Sequence, residues 1–134
     1  MKFSSAFGMT LSLIGLSACA GQSMPHIKTD SVVTIDGAGC GNGWNYNTIR
    51  TISDPESISE ITRFFNDRND GFRHSFIDAP SGRYVVVFNR NLPSSSIVAV
   101  SPTEIIREQR IRSINSEDYD AFLKISRLGD VPIC

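Results

Sequence analysis

Apolar residues recur at helical spacing in two stretches of the chain, and each stretch opens with capping residues. In the first, Ser53 or Asp54 can accept a hydrogen bond from a free backbone N–H, and Pro55 suits the first helical turn. Its apolar face comprises Ile58, Ile61, Phe64 and Phe65. This pattern predicts a helix over residues 55–67, followed by a turn at residues 69–71.

The second helical stretch begins at residues 116–118, Ser-Glu-Asp, and Gly129 is a suitable stop. The residues expected on its core side are Tyr119, Phe122, Leu123 and either Ile125 or Ser126.

Other stretches have the alternating or continuously apolar pattern of strands. Residues 83–89 contain Tyr-Val-Val-Val-Phe with no polar alternation, which indicates a strand covered on both faces. With the turn at residues 91–95 and the apolar residues 97–100, it predicts a hairpin. Residues 101–114 fit either helix or strand, and extended structure is favoured through residues 111–114. The remaining predicted strands are residues 32–35 and 48–52.

Together these elements predict an α+β fold in the order β-β-α-β-β-(β)-α. Because strands adjacent in sequence usually pair, we expect a small antiparallel sheet of about four to five strands with two helices. One domain over residues 31–134 accounts for all of them.

The N-terminal residues have the layout of an export signal. Lys2 is followed by an uncharged stretch, residues 3–16, that is too short to be a comfortable membrane span. Residues 16–19, Leu16-Ser17-Ala18-Cys19, resemble the lipobox of bacterial lipoproteins. An ordinary signal peptide, with Cys19 merely near the cleavage site, is the alternative.

The lipobox resemblance implies removal of residues 1–18 and attachment of lipid to Cys19. Two or more acyl chains give stable anchoring, whereas one chain holds a protein only marginally. Residues 19–30 would be the lipidated end and a flexible tether. By resemblance to Gram-negative lipoproteins, Ala20 implies the outer membrane, with the domain in the periplasm.

Cys40 and Cys134 remain after the lipidated cysteine is set aside. An exported compartment is oxidising, so an even pair of cysteines predicts a disulfide. The loop it closes, about 95 residues, would contribute about 4–5 kcal/mol on the chain-entropy model. A metal site is the alternative, but His26 and His74 are the only histidines available to complete it.

Composition excludes some functions. The chain has 134 residues, a formal net charge of −1 and a pI near 6.1, which is not the basic footprint of a nucleic-acid binder. The glycines at positions 37, 39, 41 and 43 alternate strictly, so they do not form a nucleotide-binding loop, and no cofactor is expected. Residues 67–71 lack the ligand spacing of a calcium loop and predict a surface turn.

Candidate contact residues are few. Trp44 and Tyr46 flank the glycine-rich loop; Trp44 is favoured as a core residue, and exposed aromatics there would form a recognition patch. Arg107, Arg110 and Arg112 lie among glutamates, which favours a solvated mixed face, although a peptide or glycan partner could use it.

No pattern in the sequence supports an enzyme. We expect a non-enzymatic binding or accessory module of the cell envelope, such as an assembly subunit, an inhibitor or an immunity-type protein. Its partners would be the membrane, through the lipid on Cys19, and an envelope or periplasmic protein. The alternative is a hydrolase of envelope polymers in which His74 acts as the general base.

Overall fold

The computed structural model describes residues 21–29, 31–38, 46–75 and 84–129. Within them, two helices pack on one antiparallel sheet of seven strands, which confirms the α+β class. The expected count of four to five strands is wrong, because residues 73–74 and 104–107 form two further short strands that the sequence pattern does not indicate.

The strands are β1 (Val33–Ala38), β2 (Tyr46–Ile52), β3 (Arg73–His74), β4 (Tyr84–Phe88), β5 (Ser96–Val100), β6 (Glu104–Arg107) and β7 (Arg110–Ser113). The helices are α1 (Pro55–Asn66) and α2 (Ser116–Ile125). The spatial order of the strands is β2-β1-β4-β5-β6-β7-β3, so β2 and β3 lie at opposite edges.

Helix α1 begins and ends close to where the sequence predicts. The side chain of Asp54 caps it by accepting a hydrogen bond from the backbone N–H of Ser57, at 2.9 Å. Hydrogen bonds from the side chain of Ser57 and from its backbone N–H lower the pKa of Asp54. Three of the four predicted core residues are buried (Ile61, Phe64 and Phe65), and Ile58 packs against them partly buried.

Helix α2 is also confirmed, with Asn115 as its cap, accepting a hydrogen bond from the backbone N–H of Asp118 at 2.8 Å. Tyr119, Phe122 and Ser126 are buried. The turn that follows α1 is joined to α2 by an ion pair between Arg68 and Asp118, with 2.9 Å between Nη2 and Oδ1.

The core lies between the helices and one face of the sheet. All five residues of β4 are buried, as expected of a strand covered on both faces, and β4 pairs with β5 as the predicted hairpin. Ring contacts fix both helices over the sheet: Phe65 meets Phe88 edge-on at 5.8 Å between ring centroids, and Phe122 lies 6.1 Å from Tyr84.

The ambiguous residues 101–114 form a second hairpin. Strands β6 and β7 pair from Glu104↔Ser113 to Arg107↔Arg110, so the connecting loop has two residues. These are Glu108 and Gln109, whose φ angles are 47° and 63°. Positive φ at both positions defines a type I′ turn, which normally uses Asn and Gly.

Several predictions fall outside the described residues. They are the signal segment 1–18, the lipidation site Cys19, the Cys40–Cys134 disulfide and the placement of Trp44.

Candidate functional site

Residues 21–29, here called the N-terminal strap, lie along the domain and are bonded to it at successive points. Gly21 comes directly against Gly71, where a Cβ on Gly21 would be 3.1 Å from the Gly71 Cα. The next residue, Gln22, exchanges two backbone hydrogen bonds with Phe72, at 2.9 and 3.1 Å. The contact with the domain therefore starts two residues after the predicted lipidation site.

The asparagine side chains of α1 and its C-terminal turn hold the middle of the strap. Asn66 accepts a hydrogen bond from the N–H of Ile27 at 2.7 Å and donates one to its carbonyl oxygen at 3.0 Å. Asn69 contacts Met24 in a similar way: its backbone oxygen accepts from the Met24 N–H, and its side chain donates to the Met24 oxygen. The strap thus gains strand-like hydrogen bonds.

The last part of the strap is bonded to the β4–β5 connection and to α1. The buried side chain of Asn89 donates to the carbonyl oxygen of Lys28 at 2.7 Å. The hydroxyl groups of Thr29 and Thr62 are 2.7 Å apart. The strap consequently spans from the β3 edge to the helix layer.

Two strap residues belong to the hydrophobic core: Met24 is 3% exposed and Ile27 is 4% exposed. Burying side chains of this size contributes about 1.5–3 kcal/mol each. Residues 21–29 are therefore packed onto the domain, where the sequence predicts part of a flexible tether. The overlooked signal is two apolar residues, three positions apart, in an otherwise polar segment.

The arginines of the β6–β7 hairpin contact the strap and the loop beside it. Arg107 is 6% exposed and donates from Nη2 to the carbonyl oxygen of Pro25 at 2.9 Å. Arg110, opposite Arg107 in the sheet, reaches the Met24 sulfur at 3.6 Å. The expectation of a solvated face does not hold for Arg107, because the strap covers it.

Arg107 is buried without an acidic partner among the described residues. Burial lowers the pKa of its guanidinium, and the charge of Glu108 opposes that change. Its Nη1 atom is buried and has no hydrogen-bond partner in the described part of the chain. This arrangement positions the strap and offers little surface to a partner.

Arg112 is half-buried and lies beside the turn that follows α1. Its Nε donates to the backbone oxygen of Asp70 at 2.9 Å, and Nη2 is 3.8 Å from the Asp70 carboxylate. The predicted surface turn at residues 67–71 is thereby tied to β7.

Tyr46 starts the edge strand β2 and is partly exposed. It is therefore far from the three arginines, at the other edge of the sheet. Among the predicted contact residues that the structure describes, Tyr46 and the three arginines do not form one patch.

An open groove of about 730 Å³ lies where the strap meets α1. Thr29 and Ser31 lie on one side of it, and Ser59 and Thr62 on the helix side. Its other described lining residues are Val32, Ser53, Pro55, Ile58 and Arg63. The hydroxyls of Thr29 and Thr62 are bonded to each other, so Ser31, Ser53 and Ser59 supply the hydroxyls that suit hydrogen bonding to an extended chain or a glycan. Among these lining residues no acid–base pair is present.

His74 lies on the exposed edge strand β3, opposite Arg110. It is not among the described residues that line the groove. The groove and the candidate base of a hydrolase are therefore separate features.

Within the described ranges, no group of three or more His, Cys, Asp or Glu side chains could hold a metal ion. In the same part of the chain, neither helix has the length and apolar character needed to cross a membrane. Comparisons with protein-family models, curated proteins and solved structures found no match to the chain.

Proposed function

We propose that the protein is a lipid-anchored envelope lipoprotein whose α+β domain acts as a non-enzymatic binding or accessory module. Anchoring rests on residues 16–19, the lipobox pattern. The binding role rests on one observation, the hydroxyl-lined groove between the strap and α1, whose described lining offers hydrogen-bonding groups and a single cation, Arg63, but no acid–base pair. An assembly subunit, an inhibitor and an immunity-type protein would all use such a surface against an envelope or periplasmic protein.

Labelled palmitate tests the anchor. Cells that produce the full chain should incorporate the label, and Cys19→Ala should abolish incorporation. Cys40→Ser is the matched control, since it removes a cysteine outside the lipobox and should keep the label. Label retained in Cys19→Ala would contradict the lipobox hypothesis.

Photo-crosslinking from the groove tests the binding role. A photoreactive amino acid at Ser59, which is exposed in the groove, should capture a defined envelope protein in intact cells. The same residue at Glu117, exposed at the start of α2, is the control and should not capture it. Arg63→Glu should weaken the Ser59 crosslink.

The hydrolase alternative makes the opposite prediction. It requires hydrolysis of an envelope polymer by the purified protein, lost in His74→Ala, with no specific crosslink from Ser59. That result would replace the binding role with an enzymatic one.

A further inference from the structure

We propose that the β3 edge of the sheet rests on the membrane surface, with Arg73 directed at lipid phosphates and β2 facing away from the bilayer. The inference rests on the proposed lipid anchor at Cys19 and goes beyond it, because an anchor alone leaves the domain free to turn. The strap removes that freedom.

The distance between lipid and domain carries the argument. A fully extended chain spans at most about 3.6 Å per residue, so Gly21 lies within about 7 Å of Cys19. Gly21 packs against Gly71, and Gln22 is bonded to Phe72, the residue before β3. The headgroup layer is itself about 5–7 Å thick on each side of the bilayer. The residues around Phe72 must therefore lie at the headgroups.

The charges at this edge suit phosphate. The side chain of Arg73 is exposed and makes no ion pair or hydrogen bond with any residue that the structure describes. Arg73 pairs with Ile111 on β7, and Arg112, the next residue of that strand, has its guanidinium turned to Asp70. Guanidinium groups bind phosphate oxygens in a bidentate manner, and every phospholipid headgroup carries a phosphate. Arg73 is thus a cation without an ion-pair partner in the described part of the chain, at the edge that we place against the phosphates.

The sheet order then sets the orientation of the whole domain. Strand β2 lies six inter-strand steps from β3, about 29 Å at a spacing of 4.8 Å. If β3 rests on the headgroups, the strands run along the membrane and β2, with Asn47 exposed on it, projects into the aqueous compartment.

Depth-dependent quenching tests this orientation on the lipidated full chain in phospholipid vesicles that contain a headgroup-attached nitroxide. A genetically encoded fluorescent amino acid is placed at Asp70, whose side chain is 72% exposed, and in a second protein at Asn47. We expect at least threefold stronger quenching at position 70, since nitroxide quenching acts over short distances. Equal quenching at the two positions would overturn the proposal.

Flotation of the chain with vesicles, read together with the quenching, separates failure of the anchor from failure of the orientation. Wild-type chain that does not float with vesicles shows that the anchor itself is absent, so the proposed function fails and this inference falls with it. Chain that floats but is quenched equally at both positions shows that the anchor is real and the fixed orientation is not.

Charge reversal tests the contact with phosphate. Arg73→Glu should lower the quenching ratio between positions 70 and 47 at least twofold. Lys124→Glu, the same change of charge on exposed α2, should leave it unchanged. A ratio that does not respond to Arg73→Glu would refute the arginine contact. Asn69→Ala, which loosens the strap at Met24, should also lower the ratio.

Discussion

The side-chain amide of Asn66 makes the two backbone hydrogen bonds that a neighbouring strand would otherwise make. It both accepts from and donates to the backbone of Ile27, a residue 39 positions earlier in the chain. The polar groups of the buried Ile27 backbone are thereby satisfied, which permits the side chain to enter the core.

The first prediction follows from this pair of hydrogen bonds. Asn66→Ala should lower the free energy of unfolding by about 1–3 kcal/mol, because it leaves both Ile27 backbone groups without their partner. Amide hydrogen exchange at residues 22–29 should accelerate more than at the sheet. Asn47→Ala, on exposed β2, is the control and should change neither. Unaltered exchange in the strap of Asn66→Ala would contradict the assigned role.

The second prediction concerns Asp118. Burial raises the pKa of Asp118, but the hydrogen bond and charge of Arg68 outweigh it, so the pKa lies below its ordinary value. As the pH falls, the carboxylate of Asp118 is therefore protonated in the unfolded chain before it is protonated in the folded one. The contribution of the ion pair to stability is present above about pH 4 and is lost as the pH falls below that value.

Asp118→Asn should consequently reduce the decrease in stability on acidification, as measured by urea unfolding between about pH 5 and pH 2.5. Asp120→Asn, an exposed neighbour on the same helix, should leave the acid dependence as in the wild type. Parallel acid profiles for wild type and Asp118→Asn would show that the pair does not act this way.

The role of a residue could be predicted from the sequence where it depends on nearby residues. It could not be predicted where it depends on residues far away in the chain. The cap at Asp54 depends on a neighbour three positions away, so the local pattern indicates it. The burial of Arg107 depends on Pro25, 82 positions earlier, and glutamates beside Arg107 suggest a solvated face instead.

At the scale of elements, the β6–β7 hairpin is the feature whose sequence fits either helix or strand. Its turn residues, Glu108 and Gln109, both have positive φ, yet neither belongs to the residue types that favour it. Without the usual Asn-Gly or Asp-Gly signal of a two-residue turn, the sequence of a hairpin resembles that of any polar segment. The two-residue strand β3 is too short to show any periodicity. These two features account for the underestimated strand count.

The same turn supplies the third prediction. Replacing it by Asn-Gly, as Glu108→Asn with Gln109→Gly, should raise the free energy of unfolding by about 1–2 kcal/mol. Left-handed backbone costs most residues about 1–2 kcal/mol, and glycine at position 109 removes that cost. Thermal unfolding measures the gain. Thr103→Gly, at a turn position without positive φ, should destabilise the protein. A double variant less stable than the wild type would contradict the strain assigned to this turn.

Helices were the elements best predicted, because both have a capping residue and apolar spacing within a few turns. Helix α1 buries Ile61, Phe64 and Phe65, the face that the 3.6-residue period defines. The all-apolar β4 was equally clear, because burial on both faces removes alternation.

At the scale of the whole molecule, the described sheet pairs strands that are consecutive in sequence, except where β1 meets β4 and where β7 meets β3. β1 lies between β2 and β4, and β3 returns to pair with β7 at the far edge. Sequence adjacency predicts the antiparallel pairing of the middle strands. It does not predict which edge the strap reaches, because that contact joins the start of the chain to Phe72.

The fourth prediction is the Cys40–Cys134 disulfide, which would close most of the domain into one loop. Mass spectrometry of the exported protein without reduction should show the two cysteines linked. Cys40→Ser together with Cys134→Ser should lower the free energy of unfolding by about 4–5 kcal/mol, less any strain in the bridge. Cys19→Ala is the control and should keep the bridge, whereas two free thiols in the exported protein would refute it.

Because the strap is packed on the domain, the independently folding unit includes residues 21–29 and does not begin at residue 31, as the sequence predicts. A soluble version of the domain trimmed to begin at residue 31 would lose Met24 and Ile27 from the core and uncover Arg107. Trimming that deep should yield a destabilised, aggregation-prone product, while a version that starts at Ala20 retains every strap contact. The strap is thus a part of the domain that recombinant production must keep.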